Sequence, residues 1–147
     1  MTRGYSVIAA HRPKDAENFG GILRAAHCYN SALVVLGDDR YKSFKTNTTK
    51  AERHMPLLRV NDVFDALPVD CVPVAVDLIE GATSLVEYNH PERAFYIFGP
   101  EDGTLDDSIV RKCRDVVYIP TSFCMNLAAT VNVVLYDRLA KESAHAR

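Results

Sequence analysis

Three short segments of this 147-residue chain combine residue types that could do chemistry. The first runs Asn18-Phe19-Gly20-Gly21-Ile22-Leu23-Arg24. Asn18 suits a helix cap, its side chain accepting a bond from an early backbone N–H. Gly20 and Gly21 leave the first turn bare, so that a ligand could approach the backbone closely. Helical spacing puts Gly20, Arg24, His27 and Cys28 on one face and Ile22, Ala26 and Tyr29 on another. An arginine above two glycines suits a phosphate or a ribose edge. Taken alone, the segment reads equally well as a capped surface helix with a solvated arginine. The second segment, Phe98-Gly99-Pro100-Glu101-Asp102-Gly103, directly follows an apolar run. Gly99 permits close backbone approach, Pro100 stiffens the turn, and Gly103 can take positive φ. Its plainer interpretation is a tight turn whose two acids favour the next helix N-terminus. The third, Ile119 to Val131, places Thr121, Ser122, Phe123, Cys124 and Met125 in a loop after Pro120 and opens a helix at Asn126. Neither the dinucleotide GxGxxG fingerprint nor a Walker A pattern occurs.

These segments need elements to hold them. Strands are expected at Tyr5–Ala10, Ala32–Leu36, Val72–Leu78, Ala94–Phe98 and Val116–Ile119, where β-branched and aromatic residues run in short blocks. Pro73 sits near the start of its strand. Helices are expected from Asn18 to about Tyr29, from an Asn61-Asp62 cap through Leu67, weakly over Ala82–Tyr88, over Asp106–Cys113, and from Asn126 to about Ala144. Asp38–Met55 is polar and basic with little periodicity. Strand alternating with helix predicts an α/β fold with a mostly parallel sheet flanked by helices. Ligands of such folds collect beyond the carboxyl ends of the strands. The loops after Ala10, Leu78, Phe98 and Ile119 are therefore the places for a site. The last helix is apolar almost all round in its first half (LAATVNVVLY), which requires burial on more than one side, within the fold or against another subunit.

Composition narrows the function. With 48% hydrophobic and 24% charged residues, the chain is an ordinary globular one, suited to a single domain over 1–147. Seventeen Lys and Arg against nineteen Asp and Glu give a net charge of −2, so any nucleic-acid contact must come from a local patch. Arg40-Tyr41-Lys42-Ser43-Phe44-Lys45, continuing to Lys50, Arg53 and His54, is such a patch, basic with interleaved aromatics. It suits backbone neutralisation with base stacking, although a solvated loop has the same composition. Cys28, Cys71, Cys113 and Cys124 form no CxxC pair and no close-set zinc cluster, which predicts reduced cysteines and no metal. The N-terminal apolar run is too short for a signal peptide, and no stretch approaches a bilayer span. The expectation is a soluble cytoplasmic protein.

Together the three segments say more than each alone. N-x-x-G-x-x-R, then G-P-E at a strand end, then I-P followed by N-L-A at a terminal helix resembles the SpoU-type (TrmH-like) branch of the SPOUT RNA methyltransferases. The resemblance covers Tyr5 to about Lys141 and is to the short tRNA ribose 2′-O-methyltransferases, a bare catalytic domain. It implies a deep trefoil knot in the C-terminal half. It also implies S-adenosylmethionine, converted to S-adenosylhomocysteine, in loops Leu78–Gly81, Gly99–Gly103 and Ile119–Met125. By position, the cofactor residues are Leu78, Gly81, Gly99, Glu101, Gly103, Ile119, Cys124 and Met125. The family's catalytic positions match Asn18, Arg24, Glu101 and Asn126. The RNA-facing residues are Arg24, Arg40, Lys42, Lys45, Lys50 and Arg53. A homodimer is implied, residues of one subunit completing the site of the other. Two departures stand out: only Asp102 separates Glu101 from Gly103, where the family keeps two residues, and Cys124 replaces the family's serine. The loop from Pro120 to Asn126 is also shorter than in many relatives.

The implied reaction is methyl transfer to a ribose 2′-OH, with tRNA as the first substrate class and rRNA as the alternative. It needs no metal and is mainly a matter of proximity and orientation. In the family, the arginine matching Arg24 is proposed as the base. A guanidinium is effectively never deprotonated, so Arg24 is better assigned to orienting phosphate and 2′-OH, with the proton leaving through a phosphate oxygen or Glu101. A catalytically silent RNA-binding protein of the same fold is the rival from another class. A near-neutral chain is also compatible with a helper protein for RNA binding.

Overall fold

The computed structural model describes residues 4–14, 16–38, 40 and 55–145. Among the described residues seven strands form one sheet: β1 (Tyr5–His11), β2 (Leu33–Gly37), β3 (Leu57–Val60), β4 (Val72–Val76), β5 (Thr83–Ser84), β6 (Arg93–Phe98) and β7 (Asp115–Tyr118). Their order is β3-β2-β1-β6-β4-β7-β5, and all six pairings are parallel. Tyr5 to Ala10 therefore run beside Arg93 to Phe98, while Val7 to His11 run beside Leu33 to Gly37. The α-helices among the described residues are α1 (Ala16–Cys28), α2 (Asp107–Val110) and α3 (Leu127–His145).

Period-two alternation sorts the strands' side chains between two faces. Ile8, Ala10, Val34, Leu36, Val74, Tyr96 and Phe98 pack under α1 and α3 with Ile22, Leu23, Val131 and Leu135. Val7, Ala9, Val35, Ala75, Phe95 and Ile97 pack on the other face, against Val63, Leu105 and Ile109. Both faces being covered explains the near-continuous apolar strands.

The structure corrects several expected boundaries. Helix α1 starts two residues before Asn18, which lies inside the first turn and is not its cap. The helix ends in a Schellman arrangement, the Ser31 N–H donating to the Ala26 carbonyl at 2.9 Å and the Asn30 N–H to His27 at 3.2 Å. Asn30 tolerates the required φ of +57° because its short polar side chain suits left-handed backbone. Ala82–Tyr88 is not a helix. It is the two-residue edge strand β5 followed by a 3-10 turn, Leu85–Glu87, whose Val86 N–H donates to Ser84 Oγ. Asp106–Cys113 shrinks to the single turn of α2, and Asp106 makes no side-chain cap there because its carboxylate meets His11 Nε2 at 3.2 Å instead. The Asp62 cap is present, on a 3-10 turn over Val63–Ala66. Strand β3 was not expected: four residues with a half-exposed pattern give no alternation to read.

Helix α3 is held by polar groups as well as by its apolar side. Arg138 is 7% exposed, and its guanidinium donates to the carbonyls of Pro91 and Glu92, each at 2.7 Å, and to the Tyr96 hydroxyl at 3.1 Å. His90 bridges Tyr96 and Asp137, with Nδ1 2.6 Å from the hydroxyl and Nε2 2.7 Å from the carboxylate. Lys141 donates to the carbonyls of Leu85 and Tyr88. Buried polar groups must be paired, and this set is.

Candidate active site

The carboxyl ends of β4, β6 and β7 surround a cavity of about 530 Å³. Its walls come from three loops: Val76 to Leu78, Phe98 to Gly103 without Asp102, and Ile119 to Leu127 without Pro120. Asn18 and Thr130 close it from α1 and α3. These are the loops that parallel-sheet topology singles out for ligands.

Asp77 organises the walls. Its Oδ1 accepts from the Leu78 N–H at 2.8 Å, and its Oδ2 accepts from the Leu105 N–H at 2.7 Å, which pins the end of the second loop to the first. Gly99 makes that junction a close fit, because a Cβ there would stand 3.2 Å from the Leu105 nitrogen and 3.3 Å from its Cγ.

Three polar residues from distant parts of the chain meet at the cavity wall. Asn126 Nδ2 donates to Asn18 Oδ1 at 2.7 Å, and Asn18 Nδ2 donates to Glu101 Oε2 at 3.3 Å. Asn126 Oδ1 meanwhile accepts from the Ala129 N–H at 3.1 Å and caps α3. The Lys14 N–H donates to Glu101 Oε1 at 3.0 Å. Each amide thus has one orientation consistent with its neighbours, and the Glu101 carboxylate is fixed from two sides. Asp102 points away from the cavity to Arg40, and this hydrogen-bonded guanidinium holds its carboxyl down at about 2.

Of the expected cofactor residues, Leu78, Gly99, Glu101, Gly103, Ile119, Cys124 and Met125 all line the cavity. Gly81 does not; it takes φ +86° in an exposed turn. Gly103 lines the wall and does not use the positive φ open to it. Gly21 serves packing and not ligand approach, since a Cβ on it would lie 2.7 Å from that of Ala128. Arg24 is exposed on α1 with His27 and Cys28, as spacing predicted, but it stands about 9 Å further along the helix axis than Asn18 and outside the cavity wall. Arg40 is engaged with Asp102 and the Arg12 carbonyl. Lys42, Lys45, Lys50 and Arg53 lie outside the described residues. Sequence reasoning missed Asp77 and Lys14. An aspartate just past a strand of apolar residues was the available signal for the first; a backbone N–H leaves none for the second. Among the described residues, no group of three His, Cys, Asp or Glu could hold a metal ion, and no helix is long and apolar enough to cross a membrane.

A family model described as SpoU rRNA methylase matches residues 5–136. The chain belongs to the SpoU methylase family. Its fold is shared with solved SpoU/TrmH structures. The SpoU methyltransferase AviRb from Streptomyces viridochromogenes superposes with a TM-score of 0.78 at 19% identity, over 98% of this chain and 62% of that one. An rRNA methyltransferase from Sinorhizobium meliloti gives 0.81 at 19%, over 95% and 57%. A solved structure offering insight into the 2-OH methylation of C/U34 on tRNA gives 0.77 at 21%, over 96% and 98%. This SpoU chain therefore spans about three-fifths of the first two proteins and nearly all of the third. AviRb and the S. meliloti enzyme have both been solved with AdoMet bound. No curated protein sequence matches.

Proposed function

We propose that this SpoU chain transfers a methyl group from S-adenosylmethionine to a ribose 2′-OH of RNA, with tRNA as the substrate class. The observation that carries the proposal is the Asn126–Asn18–Glu101 chain of hydrogen bonds on the wall of the strand-end cavity. The cavity fits the cofactor: its volume lies in the range of small-molecule sites, and its walls are loops that offer backbone groups beside Leu78, Ile119 and Met125. S-adenosylmethionine supplies an activated methyl on a sulfonium whose departure leaves a neutral thioether. The residues of the chain then have the work of orientation. Asn18 and Lys14 hold the Glu101 carboxylate, leaving it able to accept the 2′-OH proton or to fix that hydroxyl. Arg24 stays cationic and orients the phosphate and the ribose edge.

The active unit is a homodimer. Helix α3 leaves Val133, Tyr136 and Leu139 exposed, and beside it Val86 is 70% exposed. Val86, Val133 and Tyr136 line an apolar groove of about 510 Å³ that also takes in Tyr29, next to the end of α1. A second copy covers this groove, and, as the family resemblance implies, RNA-facing residues of one subunit complete the site of the other. The strand order, with β6 inserted beside β1 and β7 beside β5, supports the trefoil knot that the family resemblance implies.

The test is transfer of labelled methyl to unmodified tRNA and rRNA pools, with digestion to nucleosides. Label as 2′-O-methyl nucleoside in tRNA, reduced at least about tenfold by Arg24→Ala, is the expected outcome. Label confined to rRNA would favour the substrate named in the family description. Full turnover in Arg24→Lys would remove bidentate positioning from the mechanism.

A further inference from the structure

We infer that Arg40 is a positioning residue of the cofactor cavity, its bidentate grip on Asp102 holding the Gly99–Gly103 loop in place from behind, and is not a contact for RNA. The guanidinium Nη1 donates to Asp102 Oδ2 at 3.1 Å and Nη2 to Oδ1 at 2.7 Å. Nε and Nη2 also donate to the Arg12 carbonyl, at 3.1 and 2.9 Å. Four bonds thus draw on a side chain with five N–H donors, which leaves little to offer a phosphate. The Arg40 backbone N–H donates to the Pro13 carbonyl, so the residue is fastened to the loop between β1 and α1. That same loop supplies the Lys14 N–H that holds Glu101, and Lys14 Nζ lies 3.6 Å from Asp102.

The loop needs such an anchor. Gly99, Pro100, Glu101 and Gly103 face the cavity, while Asp102 alone faces out. Its internal bond, from the Gly103 N–H to the Pro100 carbonyl, is long at 3.4 Å. Asp77 fixes the far end through Leu105, and Arg40 fixes the middle. An isolated exposed ion pair contributes little, but a bidentate one tied to a second acceptor restrains geometry as well. The single residue between Glu101 and Gly103 thereby gains a purpose: it turns one carboxylate inward and the next outward.

This inference rests on the methyltransferase reading of the cavity. The test measures S-adenosylhomocysteine affinity by calorimetry, tRNA-transcript affinity across a salt series, and Tm, for wild type, Arg40→Gln, Asp102→Asn and the double variant. Each single variant should weaken S-adenosylhomocysteine about 3- to 5-fold, the double no more than either, with the salt slope for RNA unchanged. A lower Tm with unchanged cofactor affinity would make the pair merely structural and overturn the inference. Loss of RNA affinity with a slope lower by about one in Arg40→Gln, Asp102→Asn being inert, would make Arg40 an RNA contact and overturn it too. If wild type itself fails to bind, the reading of the cavity falls and the clamp with it; if all four bind alike, only the clamp falls.

Discussion

At the scale of residues, the Asn126 side chain has two tasks that can be separated. Its oxygen caps α3 through Ala129, and its nitrogen orients Asn18. Serine can replace the first function but not the second. Asn126→Ser should therefore keep thermal stability within about 0.5 kcal/mol of wild type, whereas Asn126→Ala should cost about 1 kcal/mol. Both should reduce methyl transfer about tenfold or more, because the amide that aligns Asn18 and Glu101 is gone. Calorimetric unfolding beside the methyl-transfer assay separates the two tasks. Similarly, Asn18→Asp would set a carboxylate against Glu101, 3.3 Å from the present nitrogen, and remove the donor that orients it. Asn18, Glu101 and Asn126 were legible in the sequence because each stands at a fixed offset from a glycine, a proline or an apolar run. The engagement of Arg40 was not legible, since a basic residue in a basic stretch has the same local pattern whether it meets RNA or an aspartate 62 positions away.

At the scale of elements, Gly20 and Gly21 are neighbours with opposite sensitivities. Space around Gly20 is open, so Gly20→Ala should stabilise by up to about 1 kcal/mol through helix propensity. A Cβ on Gly21 would press on that of Ala128, where α1 crosses α3, so Gly21→Ala should destabilise by about 1–3 kcal/mol. Chemical denaturation of the two variants gives the sign of each directly. The longer elements, β1, α1, β6 and α3, were readable from sequence to within about two residues. Short elements were uneven: β7, an apolar block closed by Pro120, was read to within one residue, α2 was read too long, and β3 and β5 were missed because their neighbours, not their own sequence, complete them. Asp106 illustrates the point, since its local pattern reads as a cap while a histidine 95 positions earlier draws its carboxylate elsewhere.

At the scale of the whole molecule, the polar set beneath α3 ties stability to pH. Burial pushes the His90 pKa below its ordinary value, and the Asp137 carboxylate offsets this only in part. His90 also faces Tyr88, Tyr96, Lys141 and Arg138. Below its ordinary pKa of about 6.5 the unfolded chain takes up a proton that the folded chain refuses, so stability falls as pH drops from there to the depressed folded value. The slope in that window is at most about 1.4 kcal/mol per pH unit, and His90→Gln should flatten it. Unfolding midpoints at pH 7.5, 6.5 and 5.5 check this. The exposed apolar side of α3 carries the second molecular prediction. If the proposed dimer forms through this side, Tyr136→Glu should yield a folded monomer in sedimentation and take methyl transfer with it.

The strand order also has a consequence in time. Strands β1, β2 and β3 are adjacent in the sheet and in sequence, so they can pair as soon as they exist. Strand β4 cannot join them, because the place beside β1 belongs to β6, and β5 cannot join β4, because that place belongs to β7. Two of the seven strands must therefore wait with unmet edges until later chain arrives to fill two gaps. Such non-local pairing is slow, and its open edges invite aggregation. Refolding of this protein should be limited by the arrival of β6 and β7, and its yield should depend on concentration long before its final stability does.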